Sequence, residues 1–314
     1  HRDIMAKHDR ITPTSLPDWF KVPIPQGDEV GRLRGILASR GLHTVCEEAR
    51  CPNMGECWDG GTATFMVLGD TCTRGCRFCN VKTKSQGTPV DADEPAKVAE
   101  AVVAMGLSYV VLTMVDRDDL PDGGAQHVAD TIQQIKQLQP EMLVEALTGD
   151  FGGRRDQIEA VLDGKPDVFA HNIETVARLT KRVRDQRCDY QQSLEVLRTA
   201  KELQPDLVTK SSIMVGLGES EREVDTVMDD LRAHDVDVVT LGQYLRPSML
   251  HLPVKEYVTP ARFKALEQRA LRKGFLYVAS GPLVRSSYKA AEFYIEGMLR
   301  RRRQTATETT MEAL

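Results

Sequence analysis

The chain has 314 residues, 41% hydrophobic and 28% charged, enough for one large α/β domain or two ordinary ones. A net charge of −5 removes the electrostatic argument for a nucleic-acid partner, and no apolar run reaches the length of a membrane span. Seven cysteines, six of them between 46 and 79, do not make the even, dispersed pattern of a secreted disulfide framework. No signal peptide is read ahead of the domain, and clustered thiols point to metal in a reducing compartment, taken as the cytoplasm.

In chain order, residues 1–30 carry Pro13, Pro17, Pro23 and Pro25 around Trp19 and Phe20. This predicts an irregular arm packed over the body through the two aromatics. Val30 to Arg40 reads as a short amphipathic helix ended by Gly41. Cys46, Cys51 and Cys57 follow, spaced C-x4-C-x5-C. From Thr64, apolar runs at 64–68, 108–113, 142–147, 167–171, 207–214 and 236–241 read as strands. Helical periodicity fills the gaps at 94–105, 124–138, 154–162, 173–180 with 190–203, and 220–233. Strands as uniformly apolar as Tyr109–Thr113 and Val236–Leu241 belong in a parallel sheet covered on both faces. The pattern predicts a βα barrel, complete or partial. A doubly wound sheet is the alternative, and periodicity alone does not separate the two. A helix at 260–273, a strand at 275–279 and a helix from Ser286 to Arg303 follow, the last ending in four arginines. The final eleven residues are polar and expected to be disordered.

Cys72, Cys76 and Cys79 sit just past the first strand, spaced C-x3-C-x2-C. Parallel α/β folds place their chemistry at that end of the strands. Three thiolates on one loop can grip three corners of a [4Fe–4S] cluster, and with no fourth Cys nearby one iron stays open. Zinc is the other reading, but structural zinc is closed by four ligands, commonly as distant C-x-x-C pairs. Cys188 is expected to be a bystander in an exposed or half-buried loop. Gly123-Gly124 and Gly216-Leu217-Gly218-Glu219 each follow a strand, as tight turns or as places where backbone approaches a ligand. Ser286-Ser287, taken alone, reads as a helix N-cap.

With both spacings in view, the chain resembles the radical S-adenosylmethionine enzymes, and its upstream triplet resembles one family among them, the lipoyl synthases. Similar stretches are Asp118-Asp119-Leu120-Pro121-Asp122-Gly123-Gly124-Ala125, His171-Asn172-Ile173-Glu174-Thr175, Gly216 to Glu219, Gln243 to Ser248, and Gly281 to Tyr288. The resemblance spans residues 40 to about 295. Leu147 to Gly153 is richer in glycine than the corresponding stretch of the family.

The resemblance implies a partial (β/α)6 TIM-type barrel over 61–280. An N-terminal extension, 1–60, and a C-terminal extension, 281–314, would hold an auxiliary cluster. It implies two [4Fe–4S] clusters and S-adenosyl-L-methionine as cofactors. Cys72, Cys76 and Cys79 would hold the cluster whose open iron chelates that cofactor. Its reductive cleavage gives a radical that removes hydrogen from C6 and C8 of an octanoyl chain on a carrier lysine. The enzyme is then a sulfurtransferase, with Cys46, Cys51, Cys57 and Ser287 holding the cluster that supplies the sulfur. A hard serine oxygen is a weak fourth ligand, suited to a cluster that must open. Gly123, Gly124, Glu145, Asn172, Lys210 and Ser212 are expected to meet the cofactor, and His251 to lie near the octanoyl-lysine. Arg246 and Arg285 are expected to orient carboxylates or the auxiliary cluster. Arg300–Arg303 reads as a solvated tail or a contact for an acidic carrier. Implied partners are octanoylated lipoyl-carrier domains (glycine cleavage H protein or 2-oxoacid dehydrogenase E2 type) and an electron donor such as ferredoxin or flavodoxin. Neither nucleic acid nor membrane is implied.

Overall fold

The computed structural model describes residues 16–21, 28–48, 51, 53–288, 295, 298–299 and 302. A 3-10 turn, Asp18–Phe20, precedes helix α1 (Asp28–Arg40), strand β1 (His43–Thr44) and the short helices α2 (Val45–Glu48) and α3 (Met54–Asp59). Strands β2 (Thr62–Val67), β3 (Thr71–Cys72) and β4 (Lys82–Thr83) follow, then α4 (Glu94–Met105), β5 (Tyr109–Met114), α5 (Ala125–Leu138) and β6 (Leu143–Leu147). After a 3-10 turn at Phe151–Gly153 come α6 (Arg155–Asp163) and β7 (Val168–Ala170). A further turn, Ala177–Leu179, runs into α7 (Thr180–Val183) and α8 (Tyr190–Leu203). The rest is β8 (Val208–Val215), α9 (Glu221–Ala233), β9 (Val238–Gln243), α10 (Pro260–Arg272) and β10 (Tyr277–Gly281).

The helix boundaries follow ordinary capping chemistry. Pro95 lies in the first turn of α4, and Gly106 ends that helix in the left-handed region at φ 67°. Ser220 and Glu223 form a capping box at the start of α9. Asp189 and Thr259 cap α8 and α10 through their side-chain oxygens.

Strand β1 lies antiparallel on β2, and β2, β5, β6, β7, β8, β9 and β10 then run side by side, all parallel. Their spatial order is their chain order. A doubly wound sheet reverses direction at a switch point, and this one never does, so it winds one way as a partial barrel. The six expected barrel strands are β2 and β5 to β9, and the strand expected at 275–279 is β10, which joins them as a seventh parallel strand.

Side chains alternate across a strand, and this sets what fills the barrel. Tyr109, Leu143, Val168, Val208 and Val238, near the strand starts, form a buried apolar floor that Ile295, Met298 and Leu299 join. Two residues further on, Glu145 and Lys210 face the same interior. The opposite sheet face packs against the helices. Val98, Val102, Val128, Ile132, Ile158, Val161, Leu197 and Met228 are buried there.

The region read as one helix over 173–180 is instead extended and then a 3-10 turn. Glu174 sits at φ 67°, which an α-helix cannot contain, and its backbone bridges to Ile213 of β8. Phe20 docks as expected, its ring centroid 5.5 Å from Tyr257, but Trp19 stays 38% exposed. Most of the expected helix over 286–303 lies outside the described residues. Arg302 is described, and it donates to the carbonyl of Asp206 at 2.8 Å, at the start of β8.

Candidate functional site

The site grows out of the end of β2. Leu68 and Gly69 both take positive φ, 70° and 86°, turning the chain sharply off the strand into the cysteine loop. The short β3–β4 pairing closes that loop, with Thr71 opposite Lys82 and Cys72 opposite Thr83. Inside it, the N–H of Cys79 bonds to Cys76 O at 3.1 Å, closing a single turn between the two cysteines.

Neighbouring elements pin the loop. Thr73 donates through N–H and hydroxyl to the carbonyl of Asp116, each at 2.9 Å, at the end of β5. Arg74 reaches Asp118 at 2.7 Å and Asp150 at 2.7 Å, while Asp116 stands 3.7 Å away. Burial works against its charge, yet Asp118 and Asp150 hold the guanidinium above its ordinary value. From the other side, Gly75 N–H bonds to the Asp185 carboxylate at 2.8 Å, and Arg187 donates to Thr73 O at 2.6 Å.

Two backbone N–H groups point at ligand-type sulfurs. Arg74 N–H donates to Cys72 Sγ at 3.4 Å and Asp185 N–H to Cys76 Sγ at 3.3 Å. Such bonds surround cluster-bound cysteines and set the cluster potential. Burial, aided by Asp116, pushes the Cys72 thiol up to about 12, and burial raises Cys79 as well. Uncompensated thiolates are costly here, which suits thiols that give up their protons only to a metal. Among the described residues no three His, Cys, Asp or Glu side chains converge as they would around a single ion. Soft donors spread along a loop, with N–H groups aimed at sulfur, fit a cluster.

Cys188 departs from its expected place. It is 2% exposed and accepts a hydrogen bond from the Cys76 thiol, which raises Cys76 and lowers Cys188 to about 7. Arg74 Nη1 lies 3.6 Å from its sulfur. A tight turn, with Cys188 N–H on Asp185 O, folds it inward.

The upstream triplet forms a second site. Cys46 lies on α2, Cys57 on α3, and Cys51 on the turn between, where its N–H bonds to Cys46 O at 2.9 Å. Burial raises the Cys51 thiol, with Asn53 and Arg285 opposing. The C-terminal segment closes over this triplet. Asn53 Nδ2 donates to Leu283 O at 2.7 Å, and Tyr288 Oη to Glu56 at 3.2 Å, contacts that cross 230 and 232 residues. Burial lowers Arg285, with Cys51 opposing that shift. A turn from Arg285 O to Tyr288 N–H at 3.0 Å contains Ser287.

The remaining expected residues divide. Gly124 caps α5 at φ 86°, and a Cβ there would stand 2.3 Å from Leu68 Cδ1, so glycine lets α5 pack against the cysteine loop's root. A Cβ on Gly123 would meet the Phe151 ring at 3.1 Å. The Gly216–Gly218 turn is filled by its own Glu219, whose carboxylate accepts from Gly216 and Leu217 N–H at 2.5 and 2.9 Å. Glu145 and Lys210 meet each other at 2.8 Å, 0% and 1% exposed, with Tyr109 Oη on the same carboxylate. Both lie in mid-strand, paired inside the barrel, and not at the strand ends where they were expected. Asn172 donates to Glu174 at 3.1 Å, and Ser212 accepts from Thr240 at 2.8 Å. Glu174, whose carboxyl is raised by burial, and the Arg74–Asp116–Asp118–Asp150 group were not singled out from the sequence. Asp118 lies in the Asp118–Ala125 stretch and Glu174 in His171–Thr175, and that likeness to the family is their one signal in the sequence. A cavity of about 320 Å³ opens beside the cysteine loop, lined by Arg74, Asp116, Asp118, Gly123, Phe151 and Arg154 among others. A larger hollow, about 710 Å³, lies at the opposite end, around Pro140 and Asp167. His251 Nε2 sits 3.0 Å from Cys79 O.

A partial parallel barrel with three thiols on the loop after its first strand defines a radical SAM protein, and residues 66–231 match the Radical SAM superfamily. Among solved structures, the maturase HydG aligns with TM-score 0.56 and 15% identity over 82% of this chain and 67% of that one. Methylornithine synthase PylB aligns with TM-score 0.54 and 14% identity over 85% and 82%. Both show the fold alone.

Residues 3–51 match the N-terminal domain of lipoyl synthase. "Lipoyl synthase, mitochondrial" of Eremothecium gossypii is 58% identical over 95% of this chain and 82% of that protein. The protein of the same name from Emericella nidulans is 56% identical over 95% and 73%, and that of Schizosaccharomyces japonicus 56% over 91% and 78%. The chain belongs to the lipoyl synthase family, whose members are radical SAM enzymes that insert sulfur.

These relatives overturn the cytoplasmic location, for they are named mitochondrial. Clustered thiols call for a reducing compartment, and the mitochondrial interior meets that condition as well as the cytoplasm does. No helix among the described residues is long and apolar enough to cross a membrane.

Proposed function

We propose that this chain builds lipoyl groups by inserting sulfur at C6 and C8 of an octanoyl group amide-linked to a lysine of a carrier domain. In this reading Cys72, Cys76 and Cys79 hold one [4Fe–4S] cluster beside S-adenosylmethionine, and Cys46, Cys51, Cys57 and Ser287 hold a second. When bound, these groups supply a carbon-centred radical and the sulfur atoms. The barrel (61–280) carries the first site, and the extensions (1–60 and 281–314) carry the second.

One observation carries the reading. The segment containing Ser287 is drawn onto the upstream triplet by Asn53 to Leu283 and Tyr288 to Glu56. A cluster that only relays electrons needs no such distant cover, whereas a cluster that must open benefits from a weak oxygen ligand.

The chain's own residues orient and enclose. Arg74 and its carboxylates fix the cysteine loop against the ends of β5 and β6. Gly123 lines the 320 Å³ cavity without a Cβ, and Gly124 lets α5 close on Leu68 at the root of the cysteine loop. Asn172, just past the end of β7, and Ser212, within β8, offer polar atoms to S-adenosylmethionine, and the Glu145–Lys210 pair supports the layer below.

The test incubates the reduced, cluster-loaded chain with S-adenosylmethionine and an octanoyl-lysine peptide, followed by mass spectrometry. Products with one and then two sulfurs are expected, from protein carrying about eight irons and eight sulfides. Deoxyadenosine without sulfur in the peptide would assign the second cluster another role. Zinc without sulfide would sink the reading altogether.

A further inference from the structure

The loop after β9 displays two large apolar side chains to solvent: Met249 is 82% exposed and Leu250 97%. Isolated exposed hydrophobics are ordinary. This pair is unusual because the loop presenting it is held rigid and tied to the cysteine loop.

The tip is a turn closed by its own side chains. Ser248 Oγ sits 2.9 Å from His251 Nδ1 and accepts from Leu250 N–H at 3.2 Å, and His251 N–H donates to Ser248 O at 3.0 Å. Arg246 crosses underneath, donating to His251 O at 2.8 Å and to Met249 O. The root is equally fixed. Gln243 bonds to Glu256 O and accepts from Val258 N–H, while Tyr244 Oη donates to Leu252 O at 2.8 Å. A loop so constrained does not fold its apolar residues away, and the exposure is built in.

Its staples lead to the chemistry. Leu252 N–H donates to Arg77 O at 3.3 Å, and His251 Nε2 meets Cys79 O at 3.0 Å. Arg77 and Cys79 belong to the cysteine loop, so a body seated on Met249 and Leu250 is held in fixed register with that site. The flank carries three cations, Arg77 and Lys255 exposed and Arg246 half-buried, and its exposed carboxylate Glu256 is already paired with Arg262. The other basic feature, at Arg302, lies at the opposite end of the strands, by Asp206, and cannot serve the mouth.

We propose that Met249 and Leu250 are the docking tip for the folded domain that carries the octanoyl-lysine, engaging an apolar spot bordered by carboxylates. An acylated lysine is long and thin. It enters between the strand ends, and its parent domain stays on the rim, where this tip stands. A rigid apolar anchor with a polar surround is how protein interfaces concentrate affinity. The inference rests on the sulfur-insertion reading above.

The test compares two substrates in the loaded enzyme: an octanoylated carrier domain and a short octanoyl-lysine peptide lacking the domain surface. For Met249→Ser/Leu250→Ser, the carrier-to-peptide ratio of kcat/KM is expected to fall about tenfold, through KM for the carrier. Affinity for the carrier, read by calorimetry, falls with it. An unchanged ratio overturns the docking tip, and so does an equal loss on both substrates, which would make the loop a support of the site itself. A loss of self-association in light scattering with the ratio unchanged would assign the tip to a second copy of this chain and overturn the proposal. An unsubstituted chain that thiolates neither substrate would overturn the sulfur-insertion reading, and this surface with it.

Discussion

The guanidinium of Arg74 and the carboxylate of Asp150 meet at 2.7 Å although 76 residues separate them, and both side chains are buried. Arg74 stands between Cys72 and Cys76, while Asp150 caps the turn after β6. The cysteine loop is thus bolted to the barrel by a buried charge pair as well as by its own turn. Such a pair costs desolvation, and removing one partner strands the other. Asp118 and Asp116 on the same guanidinium extend the bolt to β5.

That pair makes the chain acid-sensitive in a defined window. Burial opposes ionisation of Asp150, but Arg74 overrides it and holds the carboxyl at about 2, below its ordinary 3.8. A depressed carboxyl contributes stability above the unfolded value, lost as pH falls through the folded one. The contribution should therefore be full above roughly pH 4 and gone by roughly pH 2, worth about 2 kcal/mol. Urea unfolding of the native chain and of Asp150→Asn across pH 2–6 checks this. The native chain should show the extra fall, and parallel curves for the two proteins would refute it.

The two cysteine triplets should fail differently. Cys72→Ala, Cys76→Ala or Cys79→Ala should abolish deoxyadenosine formation. Cys46→Ala, Cys51→Ala or Cys57→Ala should leave cofactor cleavage measurable and sulfur insertion absent, with iron falling to about four per chain. Ser287→Ala should bind the second cluster weakly, seen as iron lost on gel filtration. Sulfur insertion by Cys51→Ala would remove the donor role from that triplet.

How much of this was legible follows from sequence distance. The cysteine loop was readable because its ligands lie within eight residues and follow an apolar strand. The barrel strands were readable because uniform apolarity marks strands covered on both faces. Arg74 with Asp150 was not readable, since nothing local signals a partner 76 residues on. The burial of Cys188 was not readable for the same reason, its contacts with Arg74 and Cys76 lying more than a hundred residues back. The helix expected at 173–180 failed because Ser211 and Ser212 of β8 hold that stretch extended, bonding to Ile173 and Glu174 N–H. Helices α2 and α3, inside the upstream triplet, are too short to show periodicity.

Glu145 and Lys210 give a stability prediction that separates support from binding. Their 2.8 Å contact lies inside the barrel, with Tyr109 completing the carboxylate's bonds. Lys210→Met alone leaves a buried carboxylate unpaired and should cost about 3–5 kcal/mol. Glu145→Leu/Lys210→Met removes both charges and should recover most of that loss, because buried pairs and apolar isosteres are often near-equal. Chemical denaturation of the single and double variants measures the coupling. S-adenosylmethionine affinity, measured beside it, should survive in the double variant; its collapse would give the pair a direct role at the cofactor.

Cys188 should tune the first cluster without holding it. In the free thiol form Cys76 donates to Cys188. Once Cys76 binds iron it has no proton to give, and the Cys188 S–H is left as the donor to the ligand sulfur. Hydrogen bonds to ligand sulfurs stabilise the reduced, more negative cluster and raise its potential. Cys188→Ala should therefore keep its iron, since three ligands remain on the loop, while an electron-paramagnetic-resonance titration shows a more negative midpoint. The Asp185 N–H to Cys76 Sγ bond persists in the variant, so the shift should be partial. Loss of iron would make Cys188 a ligand, and an unchanged midpoint would leave it a packing residue against Arg74.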